Sequence, residues 1–132
     1  MGMIFGSDEE EAAALLRKLD VNYVLVIFGG YNGYSGDDIN KFLWMIRIAG
    51  GVFPHIKESN YKSNGVYRVD GGASQTMRDC LMYRLSYYRF GEVNRNGRVA
   101  GYDAVRKAEI GEKDIKLKYF REAFTSKNWI VR

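Results

Sequence analysis

An α/β fold, with a small parallel or mixed sheet flanked by helices in a single domain, is the class this sequence predicts. Three observations carry the prediction. Residues 21–28, VNYVLVIF, form a nearly unbroken β-branched and aromatic run, the pattern of a strand covered on both faces. Amphipathic helical patterns precede and follow that run. A glycine-rich turn separates the run from the second helix, so helix, buried strand and helix read as a parallel α/β unit.

The first helix is read from SDEEEAAALLRKL. Ser7 stands as N-cap, Glu10 three residues on completes a capping box, and Arg17 and Lys18 close the last turn. Its core stripe is Ala12, Leu15, Leu16 and Leu19. Gly29, Gly30, Gly33 and Gly36 make the turn after the strand, and Ser35 and Asp38 are available to cap the helix that starts there.

In GYSGDDINKFLWMIRI, residues 33–48, a helix advancing ~100° per residue places Ile39, Phe42, Leu43 and Ile46 in one core stripe. Trp44 and Ile48 fill another side. Asp38, Lys41 and Met45 fall at i, i+3 and i+7, an arc of roughly 60° beside the stripe. Little of this helix is left for water.

Beyond Gly50 and Gly51 lies an excursion holding the one proline and the one histidine, with a hairpin expected around Asn64 and Gly65. SQTMRDCLMYRLSYYRF, residues 74–90, reads as one helix with Met77, Cys80, Leu81, Leu85 and Tyr88 inward and Gly91 as its stop. Cys80 is then a core thiol. NRNGRVAGYDAVRKAEIG is polar and reads as a mobile loop, followed by a short helix bearing Leu117, Phe120 and Phe124 and a final strand at NWIVR.

The chain has 132 residues, 46% hydrophobic and 27% charged, which suits one soluble domain over 1–132 and argues against disorder. Its net charge of +4 is scattered and not gathered into a basic tract. With one cysteine, no internal disulfide forms, which mildly favours a reducing compartment. No apolar run reaches ~18 residues, and the start lacks the layout of a signal peptide.

Several chemistries are disfavoured. GGYNGYSGDD does not fit a nucleotide-binding glycine pattern, and Asp37 and Asp38 would oppose a phosphate at that helix start. A single histidine and a single cysteine make neither a Cys/His zinc site nor a Ser-His-Asp triad of the usual kind. His55 reads as a surface imidazole. Asp37 and Asp38 are read as helix caps before metal ligands. The tyrosines and arginines of YRLSYYRFGEVNRNGR supply the ingredients of an RNA surface, but Tyr83, Tyr87 and Tyr88 lie on a helix that needs apolar residues anyway.

The stretch LDVNYVLVIFGGYNGYSGDDINKFLWMIRI closely resembles the soluble C-terminal region of the catalytic subunit of eukaryotic oligosaccharyltransferase, the enzyme of asparagine-linked glycosylation. Further similarity runs through HIKESNY, YRVD, CLMYRLSYYRFGEV, AEIG and FTSKNWIVR, from about Phe5 onward. The loop from Asn94 to Arg98 agrees least. The D-x-x-K-x-x-x-M/I element of that family, its DK motif, is matched by Asp38, Lys41 and Met45.

The resemblance implies that these three residues lie beside the acceptor sequon Asn-x-Ser/Thr, with Met45 against the residue two places after the asparagine. Lys41 and Asp38 would order the pocket through a charge-assisted hydrogen bond. It also implies a fragment of a larger membrane enzyme, on the lumenal side of the endoplasmic reticulum, lacking the transmembrane domain and the W-W-D-Y-G segment. Mn²⁺ or Mg²⁺, the dolichyl-diphosphate oligosaccharide and the other subunits would engage the parent. No metal and no catalytic residue are assigned to this chain, no nucleic acid is expected, and the chain alone is expected to be inactive. That compartment replaces the one suggested by the lone cysteine, since a buried free thiol is tolerated in the lumen. The alternative reading is a stand-alone peptide- or RNA-binding module without enzymatic activity.

Overall fold

The computed structural model describes residues 1–94 and 97–126. Five α-helices are described: α1 Gly2–Gly6, α2 Glu9–Lys18, α3 Phe42–Val52, α4 Gln75–Asp79 and α5 Leu81–Ser86. Three 3₁₀ turns, Ile39–Lys41, Glu58–Tyr61 and Phe90–Glu92, extend or link them. Among the described residues the sheet is a single antiparallel pair, β1 Tyr102–Asp103 and β2 Ala108–Glu109. Helices with a small sheet around one core agree with the expected class, but the sheet is antiparallel where a parallel or mixed one was expected.

One apolar cluster holds the elements together. Ile39, Phe42 and Ile46 from the α3 arm meet Met77, Leu81, Met82, Tyr83, Tyr87 and Phe90 from the α4–α5 arm, all essentially inaccessible to water. Core side chains of this size each contribute about 2 kcal/mol or more by leaving water. Cys80 is buried among them, and burial pushes its thiol up to about 12. It is the inert core thiol expected.

α2 forms where its pattern predicted, with a different cap. Asp8, not Ser7, accepts the Glu11 N–H at 2.9 Å, while the Ser7 hydroxyl turns back to the Met3 carbonyl at 2.5 Å. Ala12 and Leu16 are buried as expected, but Leu19, the last residue of the expected stripe, is 63% exposed. The helix has ended at Lys18, so Leu19 no longer follows its inward face.

Residues 21–28 alternate in burial, and among the described residues they have no ladder partner. Val24, Val26 and Phe28 pack on the core, whereas Tyr23, Leu25 and Ile27 are 81%, 82% and 50% exposed. A strand covered on both faces was expected, and only one face is covered by the described residues. Phe28 anchors the end of the run, meeting Tyr87 and Phe90 edge-on at 5.4 and 5.0 Å between ring centroids. The turn beyond it is very close-packed. A Cβ on Gly29 would lie 1.8 Å from the Tyr34 carbonyl oxygen, and one on Gly30 would lie 2.4 Å from the Phe28 ring and 2.9 Å from the Asp103 carboxylate.

The helix expected over 74–90 breaks at Cys80, whose ψ of 153° is extended. There the Leu81 N–H leaves the helical ladder and donates to the Ser7 carbonyl at 2.8 Å, tying the second half to the N-terminus. α5 stops at Ser86, and the left-handed residue beyond it is Arg89, not Gly91. The hairpin turn at Asn64 and Gly65 is present: both have positive φ, 52° and 76°, as a type I′ turn requires, and Ser63 bridges Val66.

Two late segments differ from their expectation. The polar stretch expected to be a mobile loop carries β1, β2 and a buried Asp103. No helix forms around Leu117, Phe120 and Phe124; instead the buried Glu9 carboxylate accepts the main-chain N–H groups of Lys118, Tyr119 and Phe120. Phe124 is 83% exposed. The expected strand at 128–132 lies outside the described residues.

Candidate functional site

The start of the α3 arm is built from two adjacent acids with different partners. Asp37 is fully buried, and its two oxygens take four donors. Gly29 N–H and Arg106 Nη2 reach Oδ2 at 2.8 and 2.6 Å, and Asn40 N–H and Arg106 Nη1 reach Oδ1 at 3.3 and 3.0 Å. The Asn40 contact is the side-chain capping bond of this helix start, as expected of one of the two acids, while Asp38, at the N-cap position of the 3₁₀ turn, makes no such bond. Asp38 faces the extended run instead: Ile27 N–H donates to its Oδ2 at 2.8 Å, and its own N–H donates to the Ile27 carbonyl at 2.9 Å.

This changes the expected pairing of the DK residues. No ion pair or side-chain hydrogen bond joins Asp38 to Lys41 among the described residues, and the Asp38 carboxylate instead accepts the Ile27 main-chain N–H. Lys41 is exposed, Met45 half-buried against the core, and Asp38 half-buried. The three therefore share a helical shoulder by spacing, with one fixed acid, one amine that no carboxylate among the described residues engages, and one apolar side chain open on one side. Beyond the shoulder, Trp44, Ile48 and Val52 are 63%, 72% and 70% exposed, so the helix expected to leave little for water shows an apolar face to solvent.

A buried polar network supports the acids. Arg106 Nε donates to Asp103 Oδ2 at 2.7 Å, and the Tyr87 hydroxyl donates to the same oxygen at 2.7 Å. Asp103 Oδ1 accepts the N–H groups of Val105 and Arg106. Burial works against the Arg106 charge, yet hydrogen bonding and charge from Asp37 and Asp103 outweigh it and raise its pKa. Burial and the neighbouring Asp103 raise the Tyr87 phenol well above its ordinary range. Sequence reasoning missed this network. Asp103 and Arg106 at i, i+3 are a visible signal of a local ion pair, but nothing in their spacing points to Asp37.

Two of the three tyrosines that supplied the RNA alternative are engaged elsewhere, while Tyr88 is half-buried. Tyr83 and Tyr87 are fully buried, and the Tyr83 hydroxyl donates to the Val69 carbonyl at 2.6 Å. Stacking platforms need open ring faces, and these two have none. His55 is exposed, as expected of a surface imidazole. Among the described residues no group of three or more His, Cys, Asp or Glu side chains is arranged to hold a metal ion, and Asp37 and Asp103 are already matched to Arg106. The surface depressions bounded by Asp70, Lys107 and Glu109 and by Asp8, His55 and Asp79 are not lined by Asp38, Lys41 or Met45.

No family model matches the chain. Whole-chain relatives are nevertheless plain. The chain is 62% identical over 133 aligned residues to subunit STT3B of dolichyl-diphosphooligosaccharide–protein glycosyltransferase from Oryza sativa subsp. japonica. It is 58% identical to subunit STT3 of the same enzyme from Dictyostelium discoideum and 54% identical to subunit STT3A from rice, in each case over 100% of this chain.

The chain matches one segment of the STT3 subunits.

It covers 18%, 19% and 16% of those three STT3 relatives, so it spans less than a fifth of each. The family resemblance drawn from residues 19–48 and the later stretches is borne out along the whole chain. Among the described residues no helix is long and apolar enough to cross a membrane.

Proposed function

We propose that this chain is the part of an oligosaccharyltransferase catalytic subunit that helps hold the acceptor polypeptide while a dolichyl-diphosphate-linked oligosaccharide is transferred to asparagine in Asn-x-Ser/Thr. The observation that carries the reading is the shoulder of Asp38, Lys41 and Met45. Its acid is fixed by main-chain bonds to Ile27, and its amine has no carboxylate partner among the described residues.

Each residue then has a distinct task. Lys41 offers up to three N–H donors and a positive charge to the oxygens of a bound peptide. Met45 presents a soft apolar surface to the residue two places after the asparagine. Covering the methyl group that distinguishes threonine from serine is worth about 1 kcal/mol, or roughly a fivefold preference for threonine. Asp38 holds the run at Ile27 against the helix start, beside the shoulder.

The parent is read as a membrane enzyme of the endoplasmic reticulum with this segment on its lumenal side, assembled with further subunits. The Mn²⁺ or Mg²⁺ of the reaction would supply electrostatic activation from other segments of the parent, because the described acids here do not fit such an ion. The exposed Tyr23, Leu25, Trp44 and Ile48 suit a chain that packs against more of the parent.

In the full-length enzyme, Lys41→Ala and Met45→Ala should raise the acceptor KM several-fold with kcat largely kept, the signature of lost binding. Met45→Ala should also bring the Thr/Ser preference towards one. An unchanged KM in both variants, measured with matched Thr and Ser peptides, sinks the acceptor-site reading and leaves the non-catalytic module as the better one.

A further inference from the structure

The side chain that grips the start of the acceptor helix most firmly comes from a hairpin far along the chain. Arg106 reaches Asp37 with two nitrogens, at 2.6 and 3.0 Å, and Asn40 Oδ1 with one of them, at 2.9 Å. Asp37 directly precedes Asp38, and Asn40 directly precedes Lys41. Behind the guanidinium, Asp103 holds Nε at 2.7 Å and is itself fixed by the Tyr87 hydroxyl and two main-chain N–H groups. Asn40 also donates to the Ser35 carbonyl at 2.8 Å, and the Ala104 N–H meets the Gly30 carbonyl at 2.7 Å, so the same hairpin grips both sides of the glycine turn.

We infer that Arg106 is a positioning residue for the acceptor site, acting through Asp37 and Asn40 to set where Lys41 and Asp38 stand without touching the peptide. The inference rests on the acceptor-site reading proposed above. Its physical basis is the planar fork. Two parallel N–H bonds to one carboxylate fix direction as well as distance, and a third bond to Asn40 fixes the rotation of the first helical turn. A lysine at 106 would keep the charge opposite Asp37 and Asp103 but could not hold that geometry.

The test uses acceptor kinetics of the assembled full-length enzyme with Arg106→Lys, Asn40→Ala, Lys41→Ala and the combinations with Lys41→Ala. Arg106→Lys should raise the acceptor KM about fivefold and leave kcat within about twofold, because ground-state placement of the peptide is what suffers. The increase should largely vanish in the Lys41→Ala background, since both changes disable one interaction. A purely structural role predicts the reverse split: fewer active molecules, hence a lower apparent kcat at unchanged KM. That result overturns the inference, and so does an equal KM increase with and without Lys41.

Should Arg106→Lys not assemble, Asn40→Ala decides the matter, because it leaves the Asp37–Arg106–Asp103 pairing in place. A smaller KM increase that disappears in the Lys41→Ala background supports positioning, and an unchanged KM refutes it. If Lys41→Ala itself leaves KM unaltered, the acceptor-site reading has failed and the inference falls with it. If Lys41→Ala raises KM while Arg106→Lys and Asn40→Ala do not, only the positioning role is lost.

Discussion

The corner around Arg106 and the run from Val21 to Phe28 are bonded to each other's neighbours, yet they are opposite kinds of structure. In the corner, two buried carboxylates and a guanidinium with 11% of its side chain exposed are matched donor for acceptor. In the run, the main chain of residues 22–26 makes no hydrogen bond among the described residues, and every second side chain is open to water. The corner is complete within this chain. The run has the composition of a paired strand, and the main-chain groups of residues 22–26 have no partner among the described residues, where a buried strand would have each of them bonded.

That contrast predicts where substitutions will hurt. The largest effect in the chain by itself should come from Arg106→Met, which leaves Asp37 and Asp103 buried without their cation. Breaking a buried pair in this way costs about 3–5 kcal/mol, to be read from denaturant unfolding. A loss below about 1 kcal/mol would mean that the corner is wetter than its geometry shows.

Tyr87→Phe is a milder cut into the same network. It removes one donor from Asp103, which keeps Arg106 and two main-chain N–H groups, so about 1–2 kcal/mol should be lost in the same assay. The smallest effect belongs to the run. Leu25 is 82% exposed, and Leu25→Lys should leave the stability of this chain within about 0.5 kcal/mol. The same substitution should lower the yield of assembled full-length protein if the run is covered there. Equal tolerance in both settings would remove the distinction between a complete corner and an unfinished edge.

Much of the helical layout was legible in the sequence. Helix α2 could be read from Ala12 and Leu16 and from its acidic first turn, and α3 from Ile39, Phe42 and Ile46, because helical periodicity is a local property of the chain. The turn at Asn64 and Gly65 and the buried Cys80 were equally readable. The break at Cys80 was not, since it depends on a bond from Leu81 to the Ser7 carbonyl across the fold. Nor was the course of residues 118–120, whose N–H groups are collected by Glu9 from the first turn of α2. For the candidate site, the spacing of Asp38, Lys41 and Met45 was visible, but the pairing of Asp38 with Ile27 in place of Lys41 was not.

By itself, then, the sequence determined the helical periods, the glycine turn, the family likeness and the shoulder on which Asp38, Lys41 and Met45 lie. All of these are set by residue identity and spacing along one stretch of chain. Only the tertiary structure decided which acid bonds the Asn40 N–H, which one faces the run, and that Arg106 reaches Asp37 from 69 residues away in the chain. A charged group chooses among the partners that folding brings within about 3 Å, and that choice depends on which competing donors arrive with it.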